Sequence, residues 1–104
     1  MATLNTVLGL TETTIIQAGA GFTYAVTSLT FCNTSASDAN VTIYRYPTGG
    51  SASNSTTIMK TLVIPTGDTF VWEYKALLAP LDKISGIASA ATSITVTSDY
   101  LDIT

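Results

Sequence analysis

At 104 residues, 46% hydrophobic and only 11% charged, the chain has the length of one domain and lacks the Glu, Lys and Arg that would clothe a helical bundle. Its four basic residues (Arg45, Lys60, Lys75 and Lys83) are scattered, and the net charge is −3, which excludes a clustered phosphate-binding footprint and predicts no nucleic-acid partner. There is no histidine, the commonest general base and metal ligand, and the single cysteine, Cys32, excludes a disulfide-stapled scaffold.

Polarity comes instead from Thr, Ser and Asn, which suits strands and turns. Residues 1–11 mix apolar and polar positions around Gly9 and read as an N-terminal arm or an edge strand; residues 12–104 read as a single β-sandwich domain. Met1 to Asn5 lack the basic start and apolar run of a secretory leader. No window approaches the roughly 18 apolar residues of a membrane helix. The expected setting is therefore the cytoplasm, or a particle assembled there, with no membrane partner.

Thr13 to Ala18 reads as a strand, ended by Gly19-Ala20-Gly21. No helix follows those glycines, so a nucleotide-binding loop is not expected. Phe22 to Cys32 is the longest strand candidate, and both its faces carry apolar residues, as in a strand central to one sheet. Cys32 is expected to point inward as a small hydrophobe. Asn33 to Asn40 is rich in turn formers, and Val41 to Tyr46 alternates again. Pro47 to Ser55 is small and polar, an exposed mobile loop. Asn54-Ser55-Thr56 fits a glycosylation acceptor, read as a chance match without a secretory route.

Ile58 to Tyr74 reads as a hairpin closed by Pro65-Thr66-Gly67-Asp68, with Phe70, Trp72 and Tyr74 forming an aromatic face that anchors one sheet on another. Ala76 to Ala79 reads as a short helical turn stopped by Pro80. Asp82 to Ala88 is a strand in which Gly86 marks a bulge or close packing, and Ser89 to Thr92 is a tight connection. The last strand has Ile94 and Val96 inward but ends on Leu101 and Ile103, so its inward phase is expected to switch near Ser98-Asp99. The sum is an all-β, antiparallel β-sandwich, jelly-roll or Ig-like, of seven to eight strands with almost no helix.

The search for chemistry yields no catalytic residue, no metal ligand set and no cofactor site. The seven carboxylates show no spacing that favours a paired acid and base or a calcium loop. Ser and Thr are abundant, yet nothing in the sequence is placed to activate one as a nucleophile. Tyr44, Tyr46, Trp72 and Tyr74 fit three roles: a sugar-stacking platform, a buried core, or subunit-interface anchors. A neutral hydroxyl surface with few charges fits either a monomer solvated by Ser and Thr or a surface covered by other subunits.

The strand Tyr24 to Thr34, the Ile64-Pro65-Thr66-Gly67-Asp68 turn, and the segments Leu81 to Ser89 and Ile94 to Ser98 together resemble small virion structural proteins of tailed bacteriophages, of the marine and cyanobacterial phage type. The resemblance covers residues from about 22 to 104; Tyr74 to Pro80 departs from it in being less glycine-rich. It implies a non-enzymatic structural protein of a virion assembled in the host cytoplasm. The placement expected first is a capsid decoration (cement) protein that bridges capsomers, a homo-oligomer and possibly a trimer, partnered by the major capsid protein. The alternative placement is a neck, tail or fibre component. A glycan-binding module using Tyr44, Tyr46 and Trp72 is the reading from another class. In the cement reading the N-terminal arm clamps a neighbour and is ordered only against it, which makes Thr3, Leu4, Val7 and Leu8, with the aromatic anchors Tyr44 and Tyr46, the candidate interface.

Overall fold

The computed structural model describes residues 2–91 and 93–103. Among the described residues there are nine strands and no α-helix: β1 (Ala2–Leu8), β2 (Thr13–Gln17), β3 (Tyr24–Asn33), β4 (Ala39–Tyr46), β5 (Thr57–Ile64), β6 (Thr69–Trp72), β7 (Ala76–Leu78), β8 (Lys83–Ala88) and β9 (Ile94–Asp102). A single 3-10 turn, Asn54–Thr56, precedes β5. The first sheet runs β1-β9-β3-β6, with β7 pairing the other half of β3; the second runs β2-β8-β4-β5. Every pairing is antiparallel. With β7 set aside, eight strands are divided between two four-stranded sheets in the order of a jelly roll, which decides between the two sandwich topologies expected. The ninth strand comes from Ala76–Leu78, expected as a helical turn; pairing with Tyr24, Ala25 and Val26 overrides that local preference.

The arm is part of the sandwich. Residues Ala2 to Leu8 pair one-for-one with β9, from Ala2 opposite Tyr100 to Leu8 opposite Ile94, so β1 is an edge strand of the first sheet. Leu8 is fully buried between the sheets. A segment ordered only against a neighbour is therefore not what this chain carries, and the clamp drawn from it falls.

The core is made by the inward positions of both sheets, including Leu8, Ile15, Leu29, Phe31, Ile43, Ile84 and Ile94. Gly86 lets the second sheet approach closely. A Cβ there would sit 2.8 Å from Ile43 Cδ1 and 3.0 Å from Leu8 Cδ1.

Two phase readings are corrected by one bulge. In β3, Val26 is buried, and so are Leu29, Phe31 and Asn33, which lie on the opposite alternation. The register with β9 shifts between Val26 and Ser28, leaving Thr27 as the extra residue. That insertion turns both halves of β3 toward the same core and accounts for apolar residues at both parities. In β9 no switch occurs at Ser98-Asp99: Ile94, Val96 and Ser98 are all buried, and Tyr100 packs against Tyr24 in a tilted pair with ring centroids 4.7 Å apart. Leu101 and Ile103 are exposed instead. Cys32 alternates with buried Phe31 and Asn33 and so lies on the outer face, half-buried, rather than inward.

The stretch 58–74 is not a hairpin within one sheet. β5 belongs to the second sheet and β6 to the first, so Pro65-Thr66-Gly67-Asp68 carries the chain across the sandwich. The turn itself has the expected chemistry, with Gly67 at φ 76° and the Asp68 N–H donating to Pro65 O at 3.0 Å. What holds the crossing is Asn33, buried at the end of β3. Its Nδ2 donates to Ile64 O (2.8 Å) and Ser37 O (3.0 Å), and its backbone exchanges bonds with Gly67 and Asp68. The aromatic face packs where expected, but at a rim: Phe70 stacks on buried Phe31, and Trp72 lies 4.7 Å from Tyr74, all at the edge of the first sheet.

The connection at 89–92 is described as far as Ala91, and Thr92 lies outside the described residues. The loop expected to be mobile bonds to itself: Ser53 N–H donates to Thr56 Oγ1, which in turn donates to Ser51 O, both at 2.9 Å. No helix among the described residues is long and apolar enough to cross a membrane.

Candidate functional site

The six candidate interface residues separate into two groups. Thr3, Leu4 and Val7 are exposed on β1. Leu8 and Tyr46 are buried and cannot serve as contacts in the folded chain. Tyr44 is half-buried on the outer face of the second sheet, opposite Ser85.

Tyr46 is a structural residue. Its hydroxyl and that of buried Ser85 both donate to the Glu12 carboxylate, in the β1–β2 connection. Those two hydrogen bonds, Ser85's first, and the nearby Lys83 charge hold the Glu12 carboxyl below the usual carboxylate range, against a smaller opposing effect of burial. Lys83 lies over the Tyr46 ring, 5.2 Å from its centroid. The sugar-platform trio is not assembled: Tyr44 and Tyr46 share the outer face of the second sheet, while Trp72 faces the seam from the first.

A cleft of about 350 Å³ is lined by Arg45, Tyr46, Ser55, Thr57, Tyr74 and Asp82 among others. Its charged groups are already engaged. The Arg45 guanidinium donates to Leu77 O (2.6 Å) and Tyr74 Oη (3.4 Å), and Asp82 accepts from the Ala79 N–H at 3.1 Å. Among the described residues no group of three or more His, Cys, Asp or Glu side chains is placed to hold a metal ion.

The open features of the molecule are instead its strand edges. The first sheet ends in β1 on one side and in β6 with β7 on the other. Neither β1 (Ala-Thr-Leu-Asn-Thr-Val-Leu) nor β6 (Thr-Phe-Val-Trp) contains a charge or a proline, and both pair inward without a register break. Edges of this kind are the ones natural monomers normally guard with charges, prolines or bulges. Both also expose apolar side chains on two sides: Leu4 (40% exposed) and Val7 (50%) on β1, Phe70 (37%) and Val71 (58%) on β6. The second sheet is closed off differently. β5 carries exposed Lys60, two register shifts against β4, and Thr61 at a left-handed φ of 49°. Sequence reading singled out β1 as an arm or edge strand but not β6 as an open edge, because Phe70, Trp72 and Tyr74 read first as an aromatic face anchoring one sheet on another. The signal available was the absence of Lys, Glu and Pro from two strands that end a sheet.

No protein-family model matches the chain, and no curated protein matches it. Among solved structures, one from Bacillus endospore appendages, a family of disulfide-linked pili, is similar over 99% of this chain and 85% of its own, with a TM-score of 0.54 at 17% identity. A likeness at that identity speaks to the fold alone. A second, from infectious bursal disease virus Gx strain, has a TM-score of 0.43 at 12% identity, covering 98% of this chain and 29% of the other, and carries no argument.

Proposed function

We propose that this chain is a non-enzymatic building unit that works in many copies within a multi-subunit particle. The observation that carries the reading is the pair of unguarded, uncharged edge strands, β1 and β6, with apolar side chains exposed on both sides of each. A free monomer with such edges is prone to pairing, whereas a subunit uses them.

The setting we propose is the tailed-phage virion, supported by the strand and turn pattern from Tyr24 through Gly67-Asp68 to the β8 and β9 segments. A head decoration that clamps with a loose arm has lost its arm to the sandwich. A neck, tail or fibre unit needs only edges and faces, and this placement is favoured by the two open sides of the first sheet. The likeness in fold to a pilus subunit is compatible with it. Immuno-electron microscopy of purified particles, with an antibody to the folded domain, tests the reading. Regular labelling of a tail, neck, fibre or head surface is the expected result. A chain found only free in the producing cell, never in a particle, overturns it.

A further inference from the structure

Resting on the building-unit reading, we infer that the occupant of both open edges is a second copy of this chain: β1 of one copy pairs antiparallel with β6 of the next, and the first sheets join into one continuous sheet. The argument is one of direction and parity. β1 runs against β9, β9 against β3, and β3 against β6, so β1 and β6 at the two sides of the sheet point in opposite directions. A copy shifted sideways, without being turned over, therefore brings its β1 alongside β6 of its neighbour in the antiparallel sense that every strand in the sheet already uses. An odd number of strands would have given a parallel junction.

The side chains match as well. On the outer face Val7 and Val71 are both exposed, and toward the seam Leu4 and Phe70 are both partly open, so the junction covers apolar surface on both sides of the new pair. Neither strand brings a charge to it. β7 takes no part, because Arg45 already occupies Leu77 O. The same shift sets β2 of one copy beside β5 of the other, where Lys60 and the irregular backbone leave the pairing to the first sheet.

Such a contact is head-to-tail: the two surfaces differ, each copy offers one of each, and nothing closes the series. The product is an open-ended row with a repeat of about 19 Å, four strand spacings, turned progressively by the twist of the sheet.

Two variants at exposed positions separate the outcomes. Val7→Lys disables β1 and Val71→Lys disables β6; circular dichroism checks that each still folds, and Thr3→Lys serves as the second β1 variant if Val7→Lys does not. By sedimentation velocity and negative-stain microscopy, the wild-type chain is expected to form rows that lengthen with concentration. Each variant alone is expected to stay monomeric, with at least about a tenfold rise in the concentration needed to associate, equivalent to about 1.4 kcal/mol. An equimolar mixture of the two is expected to give a 1:1 dimer and nothing larger, since one intact edge remains on each. A wild-type chain that stays monomeric overturns the inference, as do rows formed by either variant alone. Dimers formed by Val71→Lys alone overturn it too, by showing β1 pairing with itself. A monomeric chain that still labels particles removes this junction and leaves the building-unit reading standing; rows in a chain that no particle carries do the reverse.

Discussion

The two sheets have the same number of main strands in equivalent order, yet they finish their sides in opposite ways. The first ends in regular, uncharged strands, β1 and β6, paired inward without a break. The second ends in β5, with Lys60 and a left-handed Thr61, and in β2, whose register with β8 shifts between Thr14 and Ile16. Both sheets share one core, so core packing does not require the difference. What differs is the capacity to accept another strand: irregular backbone and a lysine deny it in one sheet, and regular neutral backbone permits it in the other.

The largest effect is expected where the chain passes from one sheet to the other. Asn33→Leu removes the side-chain bonds to Ile64 O and Ser37 O and those that Asn33 Oδ1 accepts from Ser35, and leaves the Ile64 carbonyl without that donor at a buried site. A loss of about 3 kcal/mol or more is expected in urea unfolding, and a loss below about 1 kcal/mol would mean the crossing is held by the turn alone. Next is Leu8→Ala, which tests whether β1 is anchored in the core or merely laid on it. Burial of Leu8 predicts about 2–5 kcal/mol of destabilisation, whereas a peripheral arm would lose almost nothing.

A smaller effect is expected at Glu12, beside β2. Because its folded carboxyl is held below the unfolded value, it adds stability that is fully present above the ordinary carboxylate range and is lost as pH falls through the lower folded value. Glu12→Gln should therefore lower stability at neutral pH and flatten the decline on acidification, measured as urea midpoints across that range. Unchanged acid sensitivity would remove Glu12 as its source. The smallest effect is at Thr61. Replacement by Gly relieves a β-branched residue of its left-handed backbone and should gain less than about 1 kcal/mol in thermal unfolding. A loss of stability there would show that the bond from Thr61 N–H to Thr42 Oγ1 depends on the threonine side chain.

Much of the fold was legible because alternation and turn residues act locally. Val41 to Tyr46, Thr13 to Gln17 and the Pro65 to Asp68 turn all sit where residue type places them. The errors arose where a distant partner decides. Whether the 65–68 turn joins two strands of one sheet or crosses between sheets depends on Asn33, thirty-odd residues away, and its reach is invisible in the turn itself. Ala76–Leu78 becomes a strand only because β6 leaves half of β3 unpaired. Cys32 was assigned inward because an alternation followed from Tyr24 ignores the extra residue at Thr27, and the core and interface readings of Tyr46 both stayed open because Glu12 and Ser85, its partners, lie far off in sequence. β1 was legible as an edge, but its attachment was not, since the strand it pairs with is the last in the chain.

The Thr27 bulge makes this position tolerant of exchange and intolerant of deletion. Many side chains fit a residue that pairs with nothing across the strand, though any without a hydroxyl would forgo the Thr27 bond to Asp99 O. Excising the residue is another matter: with Leu29 and Phe31 kept in place, Tyr24 and Val26 rotate to the solvent side, and Ala25 is delivered to the interior in their stead. One codon lost there amounts to exchanging half a strand's wardrobe, while the same loss in the 47–53 loop shortens a connection and leaves every inward side chain where it was.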